Sequence, residues 1–213
     1  INTILFDFDG TIMDTNQVII NSWQHAFRTL TGAERPVEDI IATFGEILHS
    51  TVARFFPDVP VEEAAEVYRS YHRANFGPMI SVFPGVRELL AKLKERAYTL
   101  AVVTSRLPST TMEGLEKYEL AAYFDLIVTC DDCKKFKPDP EPVLVALEKL
   151  GKKPEEALMV GDTRNDILCA RGAGVKSVLV GWAVAVPEGE RCGPDAPDYL
   201  IEKADDLLEI LDR

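Results

Sequence analysis

From Thr99 onward the chain repeats one pattern: a short apolar run without helical period, a polar residue or two, then a stretch whose apolar residues recur every three or four positions. The runs are Leu100 to Thr104, Leu126 to Thr129, Leu158 to Val160 and Ser177 to Val180; Val143, Leu147 and Leu150 carry the helical period between them, as do Leu207 and Leu211 near the C-terminus. Such runs read as strands buried on both faces, and strands alternating with helices pair in parallel, with helices covering the sheet. Ile4 to Asp9 is another run of this kind, so the first strand lies at the N-terminal end. Gly151 followed by Lys152-Lys153-Pro154 reads as a helix C-cap and a stop. The expected fold class is α/β, built on a parallel sheet.

Residues 14–83 interrupt the alternation. Ile19, Trp23, Ala26 and Leu30 step by four, three and four; Leu48, Val52 and Phe55 by four and three; Ala64, Tyr68 and Tyr71 continue in kind, and no convincing strand intervenes. This predicts an all-helical insertion after the first strand, with residues 1–13 and 84–213 forming the core. Phe83-Pro84-Gly85 marks the return, followed by a helix carrying Val86, Leu89, Leu90 and Leu93. Trp23, Phe27, Phe55, Phe56, Tyr68 and Tyr71 are expected to pack the insertion's own core, and His25, His49 and His72 lack metal-site spacing. Arg28, Arg54, Arg69 and Arg73 read as solvated charges, one of which could meet a ligand. Residues 188–197, with two Gly and two Pro, read as a surface loop.

Composition narrows the partners. The 213 residues, 46% hydrophobic, suffice for a real core. With 35 Asp and Glu against 23 Lys and Arg, the formal charge is −12, which repels nucleic acid and anionic membrane surfaces alike. Any phosphate-handling site would need a locally positive pocket. No apolar run approaches the roughly 18 residues that span a bilayer, and Ile1-Asn2-Thr3 opens a strand rather than a basic signal peptide, so a cytoplasmic protein without its initiator Met is expected. We expect a monomer or weak dimer. Cys130, Cys133, Cys169 and Cys192 are too few for a disulfide framework, and the acids between Cys130 and Cys133 raise rather than lower the thiol pKa values.

The polar residues that follow the strands carry the chemistry. Asp7 and Asp9 stand two apart, so an extended backbone sends both to one face, a costly pairing unless a cation binds or one carboxyl is protonated. Gly10 permits a sharp turn and Thr11 adds a hydroxyl and an N–H. Thr104 and Ser105 end the second strand before a Pro108 turn, Lys137 approaches a helix whose start the prolines define, and Gly161-Asp162-Thr163 ends a later strand with Asp166 four residues beyond Asp162. All lie at the carboxyl ends of strands, where open α/β sheets bind ligands. Asp7, Asp9 and Asp162 offer hard oxygens suited to Mg²⁺. Gly10, Thr11, Thr104 and Ser105 can bind phosphate oxygens, and Lys137 supplies positive charge. An aspartate beside a divalent cation can attack phosphorus, leaving the second carboxyl for proton transfer.

This ordered set, Asp7-Phe8-Asp9-Gly10-Thr11, then Thr104, Lys137, and Gly161-Asp162-Thr163 with Asp166, resembles the haloacid dehalogenase-like hydrolase superfamily over nearly the whole chain. The resemblance implies a Rossmann-like core with a small helical cap at residues 14–83, Asp7 as nucleophile and Asp9 as acid/base. It also implies Mg²⁺ on the Asp7 carboxylate, the Asp9 carbonyl and Asp162, with Asp166 in support. Pro154 to Asp162 and Pro197-Asp198-Tyr199-Leu200 are similar to phrases of bacterial phosphoglycolate phosphatases and related pyrophosphatases, which implies a small phosphorylated metabolite such as 2-phosphoglycolate, with pyrophosphate next. A phosphosugar mutase and a non-catalytic ligand-binding regulator are the alternatives. Where many such caps carry a Gly-x-Pro turn, Phe44-Gly45-Glu46-Ile47 places an acid near the expected entrance, which disfavours a carboxylated substrate unless a cap Arg or Lys stands beside it.

Overall fold

The computed structural model describes residues 1–186 and 191–212. Six parallel strands form the central sheet: β1 (Thr3–Phe6), β4 (Thr99–Val103), β5 (Leu126–Val128), β6 (Ala157–Gly161), β7 (Lys176–Val180) and β8 (Tyr199–Ile201), in the order β5-β4-β1-β6-β7-β8. The chain builds outward from β1 in one direction through β4 and β5, then crosses back to add β6 on the other side. That reversal opens a crevice at the carboxyl ends of β4, β1 and β6. Register brings Phe6 level with Val102 and Val160, so Asp7, Thr104 and Asp162 emerge side by side.

Alternation along β1 assigns the two faces. Ile4 and Phe6 pack with Leu100, Val102 and Val160 under α5 (Val86–Glu95), α6 (Pro108–Lys117) and α9 (Asp206–Leu211). Leu5 packs with Ala101, Val103 and Met159 under α7 (Glu141–Leu150) and α8 (Arg164–Gly172). Both faces are thus covered, as continuous apolar strands require. Gly151 ends α7 with a left-handed φ of 64°, the expected cap.

Between the first two sheet strands the chain makes α1 (Asn16–Thr31), α2 (Val37–Ile41), α3 (Leu48–Phe55) and α4 (Val61–Met79). Trp23, Phe27, Phe55, Phe56 and Tyr68 pack a separate cluster among them. Three expectations need correction. The segment 14–83 is not wholly helical, because β2 (Met13–Asp14) and β3 (Ser81–Val82) pair antiparallel where the chain leaves and re-enters the core. Two-residue strands carry no periodicity, so sequence could not show them. Pro108 opens α6 rather than a turn, a residue suited to the first helical position because it lacks the N–H that would be orphaned there. The first strand ends at Phe6, leaving Asp7, Phe8 and Asp9 beyond it. Of the expected loop at 188–197, residues 188–190 lie outside those described. Among the described residues, no helix is long and apolar enough to cross a membrane.

Phe8 is fully buried against Gly114 of α6, where an added Cβ would come within 2.6 Å of its ring. Gly114→Val should therefore lower stability by about 2 kcal/mol through overpacking, read as a reduced urea midpoint at unchanged slope.

Candidate active site

The crevice holds a buried cluster built on Lys137. Its ammonium donates to Asp7 Oδ1 at 2.6 Å, Asp166 Oδ1 at 2.5 Å and the Val103 carbonyl at 3.2 Å, which uses all three N–H groups. Burial alone would lower its pKa, but Asp166 and Asp7 outweigh that and hold it above the ordinary lysine value. Lys137 brings the positive charge that the sequence led us to expect there, and its donors are spent on the two carboxylates and one carbonyl.

Asp166 is committed as well. Thr163 and Asp166 form a capping box at the start of α8, with Asp166 Oδ2 accepting from the Thr163 N–H at 3.0 Å and hydroxyl at 2.6 Å. Asp162 is the opposite case. It is buried, its Oδ1 has no hydrogen-bond partner, and burial followed by Asp166 and Asp7 pushes its pKa well up. Asp7 is pushed up to about 7, first by burial, with Lys137 opposing and Asp166 and Asp9 assisting.

One carboxylate oxygen each from Asp7, Asp162 and Asp166 lie within 4.8 Å of one another. A buried carboxylate with an orphaned oxygen beside two others is a hard-oxygen set that lacks positive charge, and Mg²⁺ fits it. Asp7 and Asp162 have oxygens free for an ion, while those of Asp166 are taken by Lys137 and Thr163, which suits support rather than direct ligation. Gly10 makes room: its φ is +71°, and a Cβ there would stand 2.0 Å from Asp162 Oδ2.

Asp9 stands apart from this cluster. Its Oδ1 accepts from the Thr15 hydroxyl at 2.6 Å and from Arg106 Nη1 at 2.8 Å. Asp7 and Asp9 therefore have different partners, although their spacing suggested one shared face. Asp7, Asp9, Gly10, Thr104, Ser105, Lys137 and Asp162 line one cavity of about 590 Å³. Thr11 does not line it, and its hydroxyl is buried without a hydrogen-bond partner.

The cap supplies the opposite wall, including Trp23, Gly45, Glu46, Tyr68 and His72. Glu46 is not a bare acid: Arg54 meets both its oxygens, at 3.1 and 2.7 Å, and Thr51 donates to it at 2.8 Å. Burial, then Arg106, lowers His72 to about 4, so it adds no charge. Asn165 of α8 donates to the Gly45 carbonyl at 3.0 Å, tying the cap loop to the core. Sequence reasoning missed Thr15, Arg106 and Asn165. Arg106 alone carried a signal, two residues past Thr104 at the end of a strand. The Cys130 thiol lies at the cavity edge, pushed up to about 11 by burial and Asp131, unsuited to thiolate chemistry.

A parallel-sheet core with a helical cap over a buried carboxylate cluster defines a capped hydrolase. The chain belongs to the haloacid dehalogenase-like hydrolases, whose family model matches residues 4–180. It is 39% identical over 211 residues to the pyrophosphatase PpaX of Halalkalibacterium halodurans, covering 99% of this chain and 97% of that one. A Caldanaerobacter subterraneus protein bearing the same name in provisional form is 44% identical, covering 99% and 94%. A haloacid dehalogenase-like hydrolase structure from Streptococcus pneumoniae superposes with a TM-score of 0.86 at 27% identity, covering 99% and 98%. The chain is a phosphatase of this family.

The raised pKa values give a pH test. A carboxyl raised on folding stabilises the protein below its unfolded pKa and loses that contribution as pH rises through the folded value, here between about 4 and about 7 for Asp7. Metal binding requires the ionised form. Mg²⁺ should therefore raise the melting temperature more at pH 8 than at pH 5, measured by calorimetry, whereas an equal shift at both would separate Mg²⁺ from this cluster.

Proposed function

We propose that this phosphatase is Mg²⁺-dependent, forms an aspartyl-phosphate on Asp7 and hydrolyses inorganic pyrophosphate. The observation that carries the mechanism is the Asp7, Lys137, Asp166 and Asp162 cluster on the floor of the capped cavity. Pyrophosphate is favoured because relatives named as pyrophosphatases align over almost all of both chains.

Asp7 lines the cavity, and its Oδ2 takes no hydrogen bond from the described residues while Lys137 holds Oδ1. One oxygen is thus fixed and the other is free to attack phosphorus. As the Asp7 oxygen bonds to phosphorus, the bond to the leaving oxygen breaks, and Asp9 gives that oxygen a proton. The resulting Asp9 carboxylate then takes a proton from water, whose oxygen attacks the same phosphorus and returns Asp7 as a carboxylate. Mg²⁺ held by Asp7 and Asp162, with the Asp9 carbonyl, would balance the charge gathered on the phosphoryl oxygens. Thr104 and Ser105 line the cavity where the transferring group's remaining oxygens must lie. Cap closure over a cavity of about 590 Å³ excludes water at the first step and restricts the substrate to small molecules.

A second reading, 2-phosphoglycolate, is favoured by one observation. Arg54 neutralises Glu46, so the acid at the cap does not repel a carboxylate.

Asp7→Asn should reduce turnover by about three orders of magnitude or more while the fold persists, measured as phosphate release with circular dichroism as control. EDTA should abolish activity and Mg²⁺ restore it; full turnover in chelator would remove the metal from the mechanism. A panel of pyrophosphate, 2-phosphoglycolate and hexose phosphates compared by kcat/KM decides the substrate, and isomerisation of a hexose phosphate without phosphate release would make the enzyme a mutase. No turnover on any member would favour a ligand-binding regulator.

A further inference from the structure

Arg106 is a largely buried cation with most of its hydrogen-bonding capacity unused. Its side chain is 10% exposed, and its guanidinium carbon lies 4.5 Å from the ring centre of Phe76 and 5.3 Å from that of Phe8. A guanidinium carries five N–H donors in one plane. Here a single one is accounted for, on Asp9, and the Nε is buried without a partner. Such an orphan is a standing cost unless something that enters the cavity satisfies it.

The other cations of the cavity are differently placed. Lys137 has no donor left. Arg73 is more than half exposed and paired with Glu66, while Arg69 faces His49 and Glu62. His72 is held neutral. Among the cations lining the cavity, Arg106 is therefore the largely buried one with donors to offer an anion.

Its position specifies which anion. Asp9, as the proton donor, must reach the oxygen that links phosphorus to the leaving group. Arg106 lies one hydrogen bond beyond Asp9 and lines the same cavity, so its donors stand near the place where the leaving group is protonated. Aromatic rings near the guanidinium limit its hydration, and its planar edge matches the paired oxygens of a phosphate or carboxylate.

We propose that Arg106 selects substrates whose leaving group bears a second anionic group. On binding, the guanidinium exchanges Asp9 for that group, leaving Asp9 held by Thr15. The inference rests on the phosphohydrolase reading above and specifies its substrate class: compact molecules with a second anionic group on the leaving side, such as pyrophosphate or phosphoglycolate, rather than phosphomonoesters of uncharged alcohols.

The test compares wild type with Arg106→Gln on pyrophosphate, 2-phosphoglycolate and p-nitrophenyl phosphate, whose leaving group has no second anion. The kcat/KM ratio of the better of the two substrates with a second anionic group to p-nitrophenyl phosphate should fall about 30-fold, chiefly through KM, and the substrate that shows the fall identifies which anion Arg106 holds. The inhibition constant of methylenediphosphonate against p-nitrophenyl phosphate should rise by a similar factor, and that of inorganic phosphate by much less. Arg106→Lys, which keeps the charge but not the fork, should lower the ratio about tenfold and carries the test if the Gln variant fails to fold. Loss by one factor on all substrates, or an unchanged ratio, would overturn the proposal and leave Arg106 as a structural partner of Asp9. Should wild type hydrolyse nothing, the phosphohydrolase reading fails, and calorimetric binding of methylenediphosphonate with Mg²⁺ still decides: tenfold weaker binding to the variant supports the anion site, and equal affinity overturns it.

Discussion

The Lys137 ammonium is the contact on which the site depends. It sits in the protein interior with three N–H groups satisfied by partners from three places: Asp7 after β1, Val103 of β4, and Asp166 in the first turn of α8. A charge this deeply buried is tolerable only with such complete pairing, and loss of any partner would leave an uncompensated charge behind. The strands thus meet at one fixed point on their carboxyl ends. The cluster is also overcommitted to negative charge, since one lysine faces Asp7, Asp162 and Asp166. Asp162, with its orphaned oxygen, carries the surplus. The arrangement is one whose surplus charge a divalent cation would balance.

Much of this was legible in the sequence, for identifiable reasons. Strands buried on both faces must be apolar throughout, so Leu100 to Thr104 and Leu158 to Val160 stood out without any periodicity. The polar residues closing those runs lay where strands end, and parallel pairing obliges such ends to meet. Asp7, Thr104, Lys137 and Asp162 could be placed together on that basis before any distance was known. The cap's helices were legible because Trp23, Val52 and Tyr68 recur on single faces.

What sequence did not show is how charges divide. Asp7 and Asp9 look equivalent as neighbours two residues apart, yet one faces Lys137 and the other Thr15 and Arg106. The difference arises from the turn at Gly10 and from Arg106 and Lys137, 97 and 130 residues from the acids they meet, which no local pattern encodes. Glu46 is similar. Its meaning changes from repulsive to neutral once Arg54, a full helix further on, reaches back to it. The β2–β3 ribbon was invisible because two residues per strand are too few for alternation to register.

The bond from Asn165 to the cap reaches the Gly45 main-chain carbonyl, not a cap side chain. Gly45 sits with φ of +79° so close to Thr163 and Asn165 that a Cβ would approach within 3.0 Å. Every residue type carries the same carbonyl, so this fastening makes no demand on the side chains next to it. Glu46, Ile47 and Leu48 can be exchanged for others while the loop still meets the core at the same place. The lining of the pocket and the fastening of the cap loop are thereby separable, and a lineage could retune the one without rebuilding the other.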